Sequence, residues 1–386
     1  MANTITGLIP LIFEALDVVS RELVGMVPSV ALSASAERAA LAQTITSFVA
    51  PAAAAGNVTP GVTPPDDGDQ TIGTQTLTIS KSRRVPVRWN GEQAMTLDSP
   101  GGVGRMNVQR DQFAQAFRTL SNEIEVDLVA LHIAASRAAG TAGTAPFAIS
   151  ATKSGYDDVA NVRQILVDNG APGSDMQLVL NTTAGAKLRG LGQLNNVQAS
   201  ADQTFLRQGV LMPIHGMDLR ETGQSLNFTK GTGASYTSST AGFAIGVTSI
   251  ALITGSGTVL AGDVVTFAGD TNQYVVTTGV AAPGTIVIAA PGLRVALAAS
   301  AIAMTIAATS VRSLAFNRNA IVLATRLPAR PPEGDLAIDS TVVTDPRSGL
   351  SFEVALYPQY RQMQYEIAIA WGVKANKPEH MALLLG

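Results

Sequence analysis

From Leu8 to Val27 the apolar residues Leu8, Ile12, Ala15, Leu16, Val19 and Leu23 recur at spacings of three and four. That spacing predicts one amphipathic helix, closed by Pro28. A second helical stretch is expected from about Ser35 to Val49, ended by Pro51. The two helices read either as ordinary packed elements or as an arm that docks on a neighbouring copy, with Leu8, Ile12, Leu16, Val19 and Leu23 as the docking face.

The pattern then changes. Pro51, Gly56, Pro60, Gly61, Pro64, Pro65, Asp66, Asp67 and Gly68 mark an extended loop. Two alternating segments follow, Thr74 to Ile79 and Val85 to Trp89, with the period of strands covered on one face. Lys81, Arg83, Arg84 and Arg88 lie between and within them, and Asp66, Asp67 and Asp69 precede them. A two-stranded ribbon is marginal in water by itself. These charges are therefore expected to meet a neighbouring copy, the alternative being a solvated surface hairpin.

The longest helical pattern runs from about Asn107 to Ala139. Phe113, Phe117, Leu120, Ile124, Leu128, Leu131 and Ala135 keep one stripe throughout. Roughly 30 residues at 1.5 Å each give a rod of about 45 Å. Gly140 to Phe147 is a small-residue loop. A short helix with capping-box spacing at Ser154 and Asp157 follows, with Val159, Val162, Ile165 and Leu166 as its buried face. Met176 to Leu180 reads as a buried strand and Thr182 to Leu191 as a helix.

Near Asn227 the composition shifts. From Thr229 to Thr309 the only charges are Lys230, Asp263, Asp270 and Arg294. Strands are expected at Ala244–Ile253, Asp263–Phe267, Gln273–Thr278 and Thr285–Ala289, separated by Gly, Asn and Pro turns. This is the signature of a small inserted β-barrel or sandwich. Strands at Ser313–Phe316, Ala320–Thr325, Ser351–Tyr357 and Gln364–Trp371 follow it, and the apolar tail Pro378 to Gly386 is expected to pack down.

The composition, 46% hydrophobic and 14% charged over 386 residues, is that of a folded chain of more than one domain. A net charge of −3 excludes a dedicated nucleic-acid binder but not a container for one. With no cysteine and three scattered histidines, no metal site and no cofactor are expected. No apolar run approaches 18 uncharged residues and no basic leader precedes one, so a soluble, cytoplasmic product without membrane contact is expected. Gly185-Ala-Lys187 does not complete a P-loop, and no G-x-S-x-G occurs. Glu123, Glu125 and Asp127 read as a solvated helix face rather than an acid–base cluster. Asp66, Asp67 and Asp69 lack the rest of a calcium loop. No enzyme activity is expected.

The order of parts resembles the major capsid proteins of tailed bacteriophages, the Hong Kong 97-like fold. Local phrases carry the resemblance to its short-tailed-phage branch with an inserted β-barrel: Gly262 to Gly269 (GDVVTFAG), Leu314 to Ala320 (LAFNRNA), Asp345 to Gly349 (DPRSG) and Ile367 to Glu379 (IAIAWGVKANKPE). The resemblance implies an α+β fold with an N-terminal helical arm (1–50), an extended β-hairpin loop (51–104), a spine helix with peripheral domain (105–175), a first axial part (176–226), the inserted barrel (227–309) and returning strands (310–386). It implies hexamers and pentamers of an icosahedral shell that encloses double-stranded DNA by containment and matures by expansion. A separate scaffolding protein and a portal protein would be its partners, in a virion capsid assembled in the host cytoplasm. The alternatives are an exported, β-rich bacterial surface or adhesin-like protein, which would need an export signal, and a soluble α/β enzyme, which would need a convergent polar cluster.

Overall fold

A computed structural model describes residues 8–22, 25–49, 55–63, 69, 71–97, 105–150, 153–191, 213–225 and 227–386. The elements begin with α1 (Ile9–Glu22), β1 (Ala31–Ala39), β2 (Thr44–Val49), β3 (Gly73–Thr78), β4 (Lys81–Asn90), α2 (Gly91–Leu97) and α3 (Arg105–Ala130). Next come β5 (Arg137–Ala139), β6 (Ile149–Ser150), β7 (Lys153–Ser154), α4 (Asp157–Asp168), β8 (Met176–Asn181), α5 (Thr182–Arg189), β9 (Met217–Thr222) and β10 (Asn227–Phe228). The barrel strands are β11 (Ala234–Ser238), β12 (Ser249–Ser256), β13 (Val264–Phe267), β14 (Gln273–Thr278), β15 (Thr285–Ile288) and β16 (Met304–Ile306). The last are β17 (Ser310–Asn317), β18 (Ile321–Pro328), β19 (Asp339–Thr344), β20 (Ser351–Gln359), β21 (Gln362–Ala375) and β22 (Met381–Leu385). The class is α+β.

The first layer is a sheet in the order β1-β18-β21-β20-β19, with β4 along the other side of β21. Its apolar face carries Val343, Phe352, Val354, Ile367, Ile369 and Trp371, and α3 lies across it with Phe113, Phe117, Leu120, Ile124 and Leu128 all buried. Phe117 meets Phe352 edge-on at 5.0 Å, a favoured aromatic geometry. The helix is shorter than its pattern: α3 has 26 residues, about 39 Å of rod, and a 3-10 turn at Leu131–Ala134 ends it. Arg137–Ala139 is a strand instead, held parallel to β22 and antiparallel to β14.

A second sheet, β5-β22-β17-β8-β9, carries α4 and α5 on one face. Val159, Val162, Ile165 and Leu166 of α4 share a core with Leu178, Leu180, Ala184 and Leu188. The core thus runs across position 175, where a domain boundary was expected. Asp157 accepts from the N–H and hydroxyl of Ser154 (2.6 and 3.0 Å), but the helix starts at Asp157 with Tyr156 at its N-cap, so the expected capping box does not form. All five residues of β22 are buried, which is why its sequence is an unbroken apolar run.

Residues 234–306 close into a six-stranded barrel. Its ladders run β11-β12-β15-β14-β13-β16, and the Thr237↔Ala303 bridge with Ser238 N–H donating to Ile302 O (2.8 Å) joins last to first. Tyr236, Ile250, Val265, Phe267, Tyr274, Ile286 and Ile288 fill it. The strand expected from Ala244 starts five residues later, because Gly246 turns with φ +85°. The barrel joins the second sheet through β14 and β5.

Two further expectations are overturned. The second helix is β1 and β2: although residues 36–42 are mostly helix formers, β1 gains a parallel ladder on β18 and β2 an antiparallel one on β3. The expected ribbon between Thr74–Ile79 and Val85–Trp89 also does not form. β3 pairs with β2, whereas β4 pairs with β21 along its whole length, from Lys81↔Trp371 to Asn90↔Gln362. Ten ladder pairs over a buried face outweigh what an isolated hairpin could offer.

Candidate assembly surface

β4 places its basic residues on both faces of the first sheet. Lys81 and Arg83 point toward α3. Lys81 Nζ donates to Asp127 Oδ1 (2.7 Å), whose Oδ2 accepts from Trp371 Nε1 (2.8 Å). Arg83 lies 3.4 Å from Glu123. Arg84, on the opposite face, pairs with Glu366 at 2.6 Å. Arg88 is exposed and lines a cleft of about 540 Å³ with Trp89, Asn90, Glu92, Gln93, Thr96 and Gln112. The basic residues therefore belong to a braced sheet rather than a loose ribbon, and three of the four have partners within the chain. Asp69 is exposed; Asp66 and Asp67 lie outside the described residues.

The protruding ribbon is β2 with β3. At its base Leu77, Ile79 and Ile45 pack with Ala39, Ala324 and Ala370. Lys374 Nζ also donates to Thr76 O (2.7 Å). Gly372 makes this approach possible: a Cβ there would sit 2.1 Å from Thr78 O. Away from the base Phe48 is exposed, as are Val58, Val62 and Ile72 in the connection between the strands, and Leu41 is exposed in the turn beside the base.

The apolar stripe of α1 is covered by its own chain. Ile12, Leu16 and Val19 are buried against α3 and its surroundings, with Leu8 partly buried beside them, so these residues are not free to dock on a neighbour in this arrangement. Leu23 lies outside the described residues. Glu125 fixes the segment that follows α1. It is 4% exposed and accepts from Val27 N–H and Thr222 Oγ1, both at 3.0 Å. Gly25 packs against it with no room for a side chain. Ser29 Oγ donates to Gly25 O and lies 3.2 Å from Arg220 Nη1, a donor to it. The reading of Glu123, Glu125 and Asp127 as a solvated face thus fails at Glu125, and at Asp127 in large part. Glu125 borders the apolar stripe beside Ile124 and Leu128, the one sign of burial its position offered.

Where the chain enters and leaves the barrel, β10 pairs with β17. Phe228 is met edge-on by His132 (5.4 Å) and covered by the Arg312 guanidinium (5.0 Å). His132 is buried; its Nδ1 faces Val129 O at 3.2 Å and its Nε2 has no partner among the described residues. Burial, and then the Arg312 charge, push the His132 pKa down to about 4. Burial also pulls Arg312 down to about 10, against the attraction of Asp263. Asp263 accepts from Gly231 and Leu260 N–H. This is the joint between the barrel and the rest of the chain. Among the described residues no group of three or more His, Asp or Glu is placed to hold a metal, and no helix is long and apolar enough to cross a membrane.

No family model matches the chain, and no curated protein matches its sequence. Solved structures do. The chain is similar to one from Mycobacterium phage Che8 (TM-score 0.45, 12% identity, covering 90% of this chain and 85% of that one). It is also similar to a chain in the capsid structure of the cyanophage P-SCSP1u (0.47, 10%, 92% and 86%) and to one in the asymmetric unit of the bacteriophage PhiM1 mature capsid (0.46, 10%, 94% and 86%).

Proposed function

We propose that this chain is the major capsid protein of a tailed bacteriophage, with the Hong Kong 97-like arrangement and a barrel inserted in its axial part. The observation that carries this reading is the β2–β3 ribbon. It leaves the body with a packed base, and Phe48, Val58, Val62 and Ile72 are exposed along its outer part and its connection. Exposed apolar surface of this kind marks a place where another chain lies. The braced spine, a closed barrel with no open edge and the absence of a catalytic cluster among the described residues support a building block over an enzyme. In this reading copies join as hexamers and pentamers around double-stranded DNA, with a scaffolding protein and a portal protein as partners. Arg83, Arg84 and Arg88 contact a neighbour, and the assembled shell matures by expansion. Contacts repeated over a shell can each be weak and still hold through multivalency.

The test is to express the chain alone and with the scaffold encoded beside it, then examine both by electron microscopy and sedimentation velocity. Shells or capsomers are expected. A monomer under both conditions refutes the proposal.

A further inference from the structure

We propose that the outer edge of β19 is a pairing site for a second copy of this chain, whose own β19 adds antiparallel to it. The inference rests on the shell reading above.

The argument begins with how sheet edges are protected. An open edge strand offers unpaired N–H and C=O groups to any other strand, and folded proteins blunt such edges with charges, prolines or bulges. This chain does so at the other edges of its two body sheets, although β2 (TITSFV) and β3 (GTQTLT) of the ribbon carry neither charge nor proline. β4 carries four cations and Pro86. β1 carries Glu37 and Arg38 and slips register between Ala34 and Arg38. β9 carries Asp218, Arg220 and Glu221. The barrel has no open edge. β19 has none of these devices in its own sequence after its first residue, although Arg330 Nη1 donates to Ser340 Oγ (3.1 Å): it reads Asp-Ser-Thr-Val-Val-Thr and keeps six consecutive pairs with β20, from Asp339↔Leu356 to Thr344↔Ser351. Among the described residues no strand pairs with its other side.

The backbone geometry identifies the groups on offer. Asp345 N–H donates inward to Leu350 O (2.9 Å). Residues of an antiparallel strand alternate between facing their partner and facing away. Thr341 and Val343 therefore face β20, and the N–H and C=O of Ser340, Val342 and Thr344 face out. Apolar side chains stand beside this edge, with Leu336, Ile338 and Val342 all exposed, and Arg330 holds the Ser340 hydroxyl.

A second copy fits this edge. Thr, Ser and Val are equally suited to either side of a ladder, so the strand is its own complement. Antiparallel pairing about a twofold axis sends the two Asp339 carboxylates to opposite ends, whereas in-register parallel pairing would set them side by side. A six-residue contact is far below the roughly 800 Å² per partner of a stable interface. It therefore forms where many copies are already held together.

Hydrogen exchange on the wild-type chain, dispersed and assembled, tests this without any mutation. The amides of Ser340, Val342 and Thr344 should slow by about tenfold or more on assembly. Because the chain has no cysteine, Val342→Cys gives a single thiol near the twofold axis, and oxidation of assembled material should yield covalent dimers. Val342→Pro removes one outward N–H and none of the β20 ladder, and should weaken assembly while leaving subunit stability nearly unchanged. Assembled shells with unprotected amides and no dimer overturn the inference and leave the shell reading standing. A cross-link to a different polypeptide overturns the choice of occupant. A wild-type chain that never assembles removes the shell reading and this inference with it.

Discussion

Acid should loosen the joint between body and barrel through His132. The ring is buried against Phe228, with Arg312 nearby and only Val129 O as a hydrogen-bond partner. Its folded pKa is about 4, against an unfolded value near 6.5. The unfolded chain therefore binds this proton first as pH falls, and stability is lost below about pH 6.5. Linkage over that interval gives a loss of about 2 kcal/mol at pH 5 and about 3 kcal/mol at pH 4. Other groups titrate over the same range, so the wild type alone does not isolate the term. His132→Phe keeps an aromatic edge toward Phe228 and removes the titration. Its packing change shifts stability by a similar amount at every pH and cancels in the difference. Urea unfolding of dispersed subunits at pH 7, 6, 5 and 4 is the assay. The wild type should lose about 3 kcal/mol more than the variant between pH 7 and pH 4. Parallel pH profiles would show that His132 is solvated and that the barrel does not press on it as described.

Three further outcomes follow from named contacts. Glu125→Ala strands the Val27 N–H and the Thr222 hydroxyl in a buried site and should cost about 3 kcal/mol, read as faster proteolysis of residues 8–30; Glu125→Gln, which can satisfy both, should cost about 1 kcal/mol. Gly372→Ala should detach the β2–β3 ribbon, since its Cβ would meet Thr78 O at 2.1 Å, and faster exchange of residues 73–79 checks this. Arg83→Glu with Arg84→Glu should block assembly in sedimentation while changing subunit stability by about 1 kcal/mol or less per site, because both guanidinium groups are exposed; normal assembly would remove these residues from the contact.

The parts legible in the sequence were those whose pattern reports burial directly. The α3 stripe as far as Leu128, the run Met176–Leu180 and the α4 face each encode which side is covered, and they fell where the pattern put them, whereas Ala368 and Ala370 of β21 are buried together with Ile367, Ile369 and Trp371. Partner choice was not legible. Ala34 to Leu41 has helix-forming composition, and only the ladder on β18, nearly 290 residues away, makes its part up to Ala39 a strand. Val85 to Trp89 alternates correctly for a strand, but nothing local says that it joins β21 rather than β3. The same limit hid the buried acid: Glu125 lies among residues that look solvated, and its donors come from residues 27 and 222. The basic residues of β4 were visible as a cluster, whereas their pairing with Asp127, Glu123 and Glu366 required the fold.

The position of β22 bears on when this chain can fold. It lies between β17 and β5, parallel to one and antiparallel to the other. Residues 137–139 and 310–317 are therefore separate until residues 381–385 have left the ribosome. The barrel closes entirely within residues 234–306 and can form much earlier. Synthesis thus imposes a sequence of events: an early, self-sufficient barrel waits on a body whose sheet is completed last. Such long-range closure is slow. During that interval the uncovered strands of the body, rather than the barrel, are the surfaces exposed to premature association.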